Sequence, residues 1–295
     1  STLTQFFAPA EQAVIPLIVK PTNLLSANSL YTTTMMASVI VGFAIGEPVL
    51  SAADALWVKF GGNGELGKEI LVGGSYIVAG LILMLLTTNE KPQEKEKESN
   101  HVFSDLKDGF VYLGKNHLLR NALIQLIILF SVLAALTVLA VRIAEIIPSI
   151  TADQFGFLLA SGGVGIALGA ILLGQFGQHF STSGLSLAGC MGIAVSLAGL
   201  AIFTQQLWTV LALIGFLGLS GALVGIPLQT AIQTETPTQM HGKVFGLQNN
   251  LVNIALTLPL GLAGIAETIF GLKTVFLTLA AIVFCIGILT RYKSA

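Results

Sequence analysis

The chain has 295 residues, of which 54% are hydrophobic and only 10% are charged. A soluble domain carries about 25% charged residues, so this composition cannot cover a water-exposed surface, and a soluble enzyme or a disordered tail is excluded. The net charge of −1 leaves no basic footprint for nucleic acid, and a mean hydropathy of +0.85 describes a multi-span helical membrane protein.

The segment 1–16 holds Phe6, Phe7, Ala8, Pro9 and Ala10 and reads as the tail of a helix that begins upstream. Eight apolar stretches follow, at approximately 30–53, 70–88, 121–141, 156–176, 185–203, 208–230, 244–266 and 272–290. Each meets the roughly 20 residues needed to cross a hydrocarbon core of about 30 Å. A β-barrel is excluded because these stretches are continuous rather than alternating. Between the second and third lies the longest polar connection. Residues 90–98 mix Glu and Lys as a solvated linker does. Phe103, Leu106, Phe110 and Leu113 then recur at helical spacing. That helix has two open placements, on the inner membrane surface or packed under the bundle. The chain thus divides into a remnant of an N-terminal bundle (1–88), a linker with an amphipathic helix (89–120) and a C-terminal six-helix bundle (121–295).

Lys and Arg set the orientation. The long connection, the C-terminus, Lys20 and Lys243 hold 10 of the positive residues on one side, against 4 on the other (Lys59, Lys68, Arg142 and Lys273). The first side, with the long loop and the C-terminus, is assigned to the cytoplasm of an inner-membrane protein. Cys190 and Cys285 sit in apolar runs, so neither a disulfide framework nor a zinc site is expected. No His pair has the spacing of a metal site. No nucleophile triad or phosphate loop is present. No catalytic residue, metal or cofactor is expected.

A long-period repeat links the two ends of the chain. Pro9 and Pro227 lie 218 residues apart, as do Gly46 and Gly264. Each copy has a Pro-containing helix end, a short loop with a second proline (Pro21; Pro237) and a helix opened by polar residues. By that register roughly 100 residues and three spans precede Ser1 in the parent, which has two six-helix halves in parallel orientation.

Polar groups at lipid depth need a protein partner or a cavity. Arg142 and Glu145, three apart at the outer end of a span, share a helix face. They are a gate pair or cargo contact, or a pair that snorkels to headgroups. Glu47, beside Gly46 and Pro48, is a proton-titrating carboxylate or reaches the outer water layer. Gln229 and Gln233 are four apart, as are Asn249 and Asn253. With Asn250 they line a central cavity for cargo or bond helix to helix. The first-copy counterparts of the three asparagines are Tyr31, Thr32 and Met35. The pairs Gly165 with Gly169, and Gly221 with Gly225, let helix backbones approach. Gln125, alone in its span, reads as interhelical glue.

Several segments carry a family resemblance. They are Phe6-Phe7-Ala8-Pro9-Ala10 with Gln12, Ala13 and Pro16; Leu25-Ser26-Ala27-Asn28-Ser29-Leu30; Gly42 with Gly46; and Pro237 followed by His241-Gly242-Lys243-Val244-Phe245-Gly246. On these the chain resembles the major facilitator superfamily, in particular the bacterial exporters that include enterobactin and macrolide efflux proteins. Gln178 and His179 stand where the family's signature loop carries an acidic and a basic residue. Phe43 and Glu47 replace the proline and the final glycine of its fifth-helix antiporter signature. The resemblance implies an all-α integral membrane protein of six-plus-six helix bundles, here with eight full spans and a truncated first half. It implies a secondary-active exporter of a small amphipathic molecule, drug-like or siderophore-like, working by alternating access and driven by a proton gradient, which the carboxylates allow. A lysolipid translocator and a transport-inactive subunit or sensor stay open as alternatives. The expected partners are the lipid bilayer, the cargo and protons, with no nucleic acid.

Overall fold

The computed structural model describes residues 2–62, 66–85 and 102–292. The solvated linker at 90–98 lies outside the described residues. Ten α-helices are present among those described: α1 (Thr2–Ile18), α2 (Leu24–Lys59), α3 (Leu66–Met84), α4 (Val102–Lys115), α5 (His117–Ile146), α6 (Phe155–Phe176), α7 (Thr182–Leu200), α8 (Leu207–Glu235), α9 (His241–Phe270) and α10 (Leu272–Tyr292). There is no β-strand among them. Eight segments, carried by α2, α3 and α5 to α10, are long and apolar enough to cross a membrane. The protein is an all-α integral membrane bundle. Helices satisfy most of their backbone groups internally, as hydrocarbon demands.

Several helices overrun the apolar stretches that mark them, whereas α7 ends at Leu200, short of the expected 203. α5 spans His117–Ile146 rather than 121–141. Hydropathy senses only hydrocarbon depth, whereas the backbone continues through polar interfacial turns. Asn116 starts α5 by accepting from the amides of Leu118 and Leu119, at 3.1 and 3.2 Å, two donors that lack helical partners.

The repeat extends to the helix boundaries. α1 ends at Ile18, a 3-10 turn occupies Pro21–Asn23, and α2 starts at Leu24. α8 ends at Glu235, a 3-10 turn occupies Thr238–Met240, and α9 starts at His241. All three boundaries recur after 217 residues, within one residue of the sequence register.

The chain forms two compact units. One holds residues 37–93, the later part of α2 with α3. There Gly67 lies against the backbone of Ala53. The Asp54 carboxylate accepts from the Lys68 amide at 2.9 Å and pairs with its ammonium at 3.3 Å. The other unit holds residues 1–36 and 94–295. Its core is built from Leu126, Leu139 and Ile143 of α5, Ile193 and Leu197 of α7, Ile214 of α8, Phe245 of α9 and Phe276 of α10. α4 packs against α9 and α5, with Leu113 buried and Phe110 exposed. This is the packed placement of the amphipathic helix. The side chains of Phe103 and Leu106 lie outside the described residues.

α6 and α8 approach most closely. A Cβ on Gly165 would fall 1.8 Å from the Gly215 carbonyl oxygen, and one on Gly218 would fall 2.1 Å from that of Gly162. Gly221 and Gly225, by contrast, face only the Leu129 side chain, at 3.5 and 3.2 Å. Their spacing was right for a contact, but α8 presents its Gly215–Gly218 face to the facing backbone. Gly165→Ala should therefore destabilise the bundle by about 1–3 kcal/mol. Gly163→Ala, on the same helix with nothing within 4 Å, should not. Thermal unfolding in detergent compares them, and equal midpoints would refute the tight α6–α8 seam.

Candidate functional site

A cluster of uncharged polar side chains joins the first repeat copy to the C-terminal helices. Asn28, on the first turns of α2, is buried. Its Nδ2 donates to Thr230 Oγ1 at 2.8 Å and to Gln233 Oε1 at 2.6 Å, both on α8. Both amide protons are thereby used. Gln233 Nε2 donates in turn to the backbone carbonyl of Gln12 on α1, at 3.1 Å. That carbonyl is open for a reason legible in the chain. Its helical partner is the amide four residues on, and Pro16 has none. The buried Gln233 fills the vacancy left by a proline on another helix.

A second set of bonds lies at the end of α6. Gln178 Nε2 donates to Ser26 Oγ at 3.1 Å, and Ser26 Oγ donates to the Gly174 carbonyl at 3.5 Å. Carbonyls in the last turn of a helix lack intrahelical partners, so a hydroxyl from α2 is well placed there. Gly177 is buried close to Leu25: a Cβ on it would lie 2.8 Å from the Leu25 side chain. The signature loop around Gln178 thus meets α2 through neutral groups.

Two further contacts occupy matching positions in the copies. Gln248 Nε2, on α9, donates to Gln229 Oε1, on α8, at 2.5 Å. One polar atom of each, Gln229 Nε2 and Gln248 Oε1, stays buried without a partner among the described residues. In the first copy the Tyr31 hydroxyl on α2 lies near the Glu11 carboxylate on α1. Glu11 lies 218 residues before Gln229, and Tyr31 lies 217 before Gln248. These positions hold two bonded amides in one copy and a carboxylate near a phenol in the other.

At the opposite end of α5, Arg142 Nη1 pairs with Glu145 Oε2 at 2.5 Å, as their spacing predicts, and Arg142 Nε pairs with Glu267 Oε1 on α9 at 3.1 Å. Both Arg142 and Glu145 are exposed. Solvent screens exposed pairs of this kind, and the bond to Glu267 joins α5 to α9.

The structure does not gather the expected cavity residues into one lining. Gln233 joins the Asn28 cluster and Gln229 pairs with Gln248. Asn250 is exposed, while Asn249 and Asn253 are half-buried. Successive helix positions diverge by about 100°, so Asn249 and Asn250 cannot share a narrow face. Thr32 is half-buried beside Tyr31. Glu47 lies within α2, but its side chain is outside the described residues. Glu11, Gln12, Ser26, Asn28, Gln248 and Glu267 complete these contacts without having been singled out as site residues. Two signals for them stood in the chain: the register that aligns Glu11 with Gln229, and the carbonyl that Pro16 leaves open. Gln125 accepts from Ser186 on α7, as interhelical glue does.

Comparison with known proteins matches these features. The Major Facilitator Superfamily model covers residues 2–258. The chain is 23% identical over 297 residues to the uncharacterized MFS-type transporter YfiS of Bacillus subtilis strain 168, covering 98% of this chain and 68% of that protein. It is 27% identical over 247 residues to the enterobactin exporter EntS of Escherichia coli O1:K1, covering 80% of this chain and 53% of the relative. EntS of the O45:K1 strain S88 gives the same identity and coverage. The chain spans about half the length of these exporters and two thirds of the Bacillus protein. With the matched model, the eight apolar spans and the repeated helix pairs together, the chain belongs to the Major Facilitator Superfamily of multi-pass membrane transporters.

Proposed function

We propose that the protein is a secondary-active exporter of the inner membrane, in which the Asn28 cluster is a neutral latch that closes the cytoplasmic mouth. The observation that carries this reading is the set of bonds from α1 and α2 to α6 and α8. They tie the first repeat copy to the C-terminal helices at the end that holds Lys20 and Lys243. Side-chain hydrogen bonds in membranes average about 0.6 kcal/mol each, so five such bonds hold the mouth with about 3 kcal/mol. That is the size of gap a two-state transporter crosses. A set of buried ion pairs would resist opening far more, because separating one strands an uncompensated charge at about 3–5 kcal/mol. Substituting Gln178 and His179 for a charged pair therefore gives a latch that opens readily. Similarity to enterobactin exporters favours an amphipathic, siderophore-like or drug-like cargo, bound beside the latch, where Gln229 Nε2 and Gln248 Oε1 lie buried without a partner among the described residues. A proton gradient supplies the energy.

The test is flux in vesicles reconstituted with the full-length protein, screened over siderophores, cationic drugs and lysolipids, with and without a pH gradient. Saturable efflux of a siderophore or drug supports the reading. Flux confined to lysolipids makes the protein a lipid translocator, and absence of flux for every class refutes transport. Orientation is checked separately. Cysteines at His179 and Thr238 should be shielded from an impermeant thiol reagent applied to intact cells, and those at Thr151 and Gln205 should react. The reverse pattern would turn the latch to the outer face and overturn export.

A further inference from the structure

We propose that a cleft inside the C-terminal helices, distinct from the latch, binds the ammonium group of an amphiphilic amine that carries an adjacent oxygen. The cleft lies between the start of α5, the start of α7, the end of α8 and the end of α10, and has a volume of about 370 Å³. That is within the range of small-ligand sites. Among the latch residues only Thr230 borders it.

The chemistry follows from where the protons go. Thr230 and Thr234 donate to the carbonyls of Ile226 and Thr230, each at 2.9 Å. Ser186, buried, donates to Gln125 Oε1. A hydroxyl has one proton and two lone pairs, so with the protons committed Thr234 and Ser186 offer acceptors, and Thr230, which already accepts from Asn28, keeps one lone pair. The Glu235 carboxylate lies at the same wall, and no Lys, Arg or His is among the described lining residues. A wall of acceptors with one negative charge suits a cation rich in N–H donors and disfavours an anion. Gln125 supplies the opposite function. It is buried, its Oε1 takes the Ser186 proton, and its Nε2 bonds to no other described residue. That amide is the donor for an oxygen beside the ammonium. Leu187 and Leu228 give the cleft an apolar wall for the rest of the molecule. An ethanolamine lipid headgroup and a free amphiphilic amino alcohol share this chemistry.

The experiment uses the full-length protein in phosphatidylcholine nanodiscs, with Ser183→Cys as a reporter inside the cleft. Alkylation by N-ethylmaleimide is read at that residue by peptide mass spectrometry. The probes are 2-aminodecan-1-ol, decanol and decyl sulfate. The amino alcohol should slow alkylation at least about threefold, within reach of a single partly exposed charge pair, and the other two should not. Glu235→Gln should remove most of the protection. Protection in phosphatidylethanolamine nanodiscs with no added amine identifies the lipid as occupant. An unchanged rate there, with protection by the amino alcohol, identifies a free amine. Equal slowing by all three amphiphiles, or full protection in Glu235→Gln, would overturn the proposal. Thr182→Cys, also at the cleft, serves as a second reporter if Ser183→Cys does not fold.

Discussion

Bridging cysteines at Ser26 and Gln178 with a short bifunctional thiol reagent is expected to abolish export by the full-length protein, and reduction of a cleavable bridge to restore it. Ser26 Oγ and Gln178 Nε2 are 3.1 Å apart, so a short bridge fits the closed mouth without distorting it. Alternating access by rocking requires the two sides of this contact to separate. A covalent bond cannot be broken by the free energy of a cycle, whereas the native bonds contribute only about 0.6 kcal/mol each. Single-cysteine proteins treated in the same way should retain full flux, which separates locking from chemical damage. Undiminished export from fully bridged protein would show that this interface does not move. Asn28→Leu acts in the other direction. It removes two bonds and leaves buried Gln233 Oε1 unpaired, at a cost of about 1–3 kcal/mol to the closed state. That shifts the closed-to-open ratio by roughly fivefold to a hundredfold. A cysteine at Leu25 should then label faster from the cytoplasmic side.

Glu11→Gln is expected to remove the dependence of export on an imposed pH gradient while leaving downhill flux in place. Glu11 is a carboxylate at a position whose counterpart, Gln229, is an amide with no proton to exchange, and it lies close to the Tyr31 hydroxyl. The other titratable groups on the helices packed on α1 are Glu235 of α8 and His241, Lys243 and Glu267 of α9, and His241 is held by the Thr236 carbonyl at 2.9 Å. With one proton exchanged per cargo molecule, a gradient of one pH unit supports about tenfold accumulation, and Glu11→Gln should bring that ratio to one. Glu47→Gln is the comparison. If it abolishes the response and Glu11→Gln does not, the coupling role passes to Glu47. A gradient response that survives in both would remove protons from the mechanism of these two acids.

Local chemistry in the chain accounts for much of the architecture. The eight spans follow from unbroken apolar length, because each segment must satisfy its backbone within itself wherever it sits. The repeat was legible because prolines and glycines act at their own positions, and the helix boundaries fall within one residue of the spacing they set. The Arg142–Glu145 pair followed from a separation of three on one helix. The pairings across the bundle were not legible in the same way. Gln233 has the Pro16-orphaned carbonyl of Gln12 and the amide of Asn28 as partners, more than 200 residues away in sequence. Glu267 completes the Arg142 contact across 125 residues. Hydrocarbon makes an unpaired buried amide costly, so the sequence determines that these groups seek partners, although Gln229 Nε2 and Gln248 Oε1 find none among the described residues. Which partner each takes depends on which helix faces meet, and close packing of glycine-lined helices decided that only in the tertiary structure.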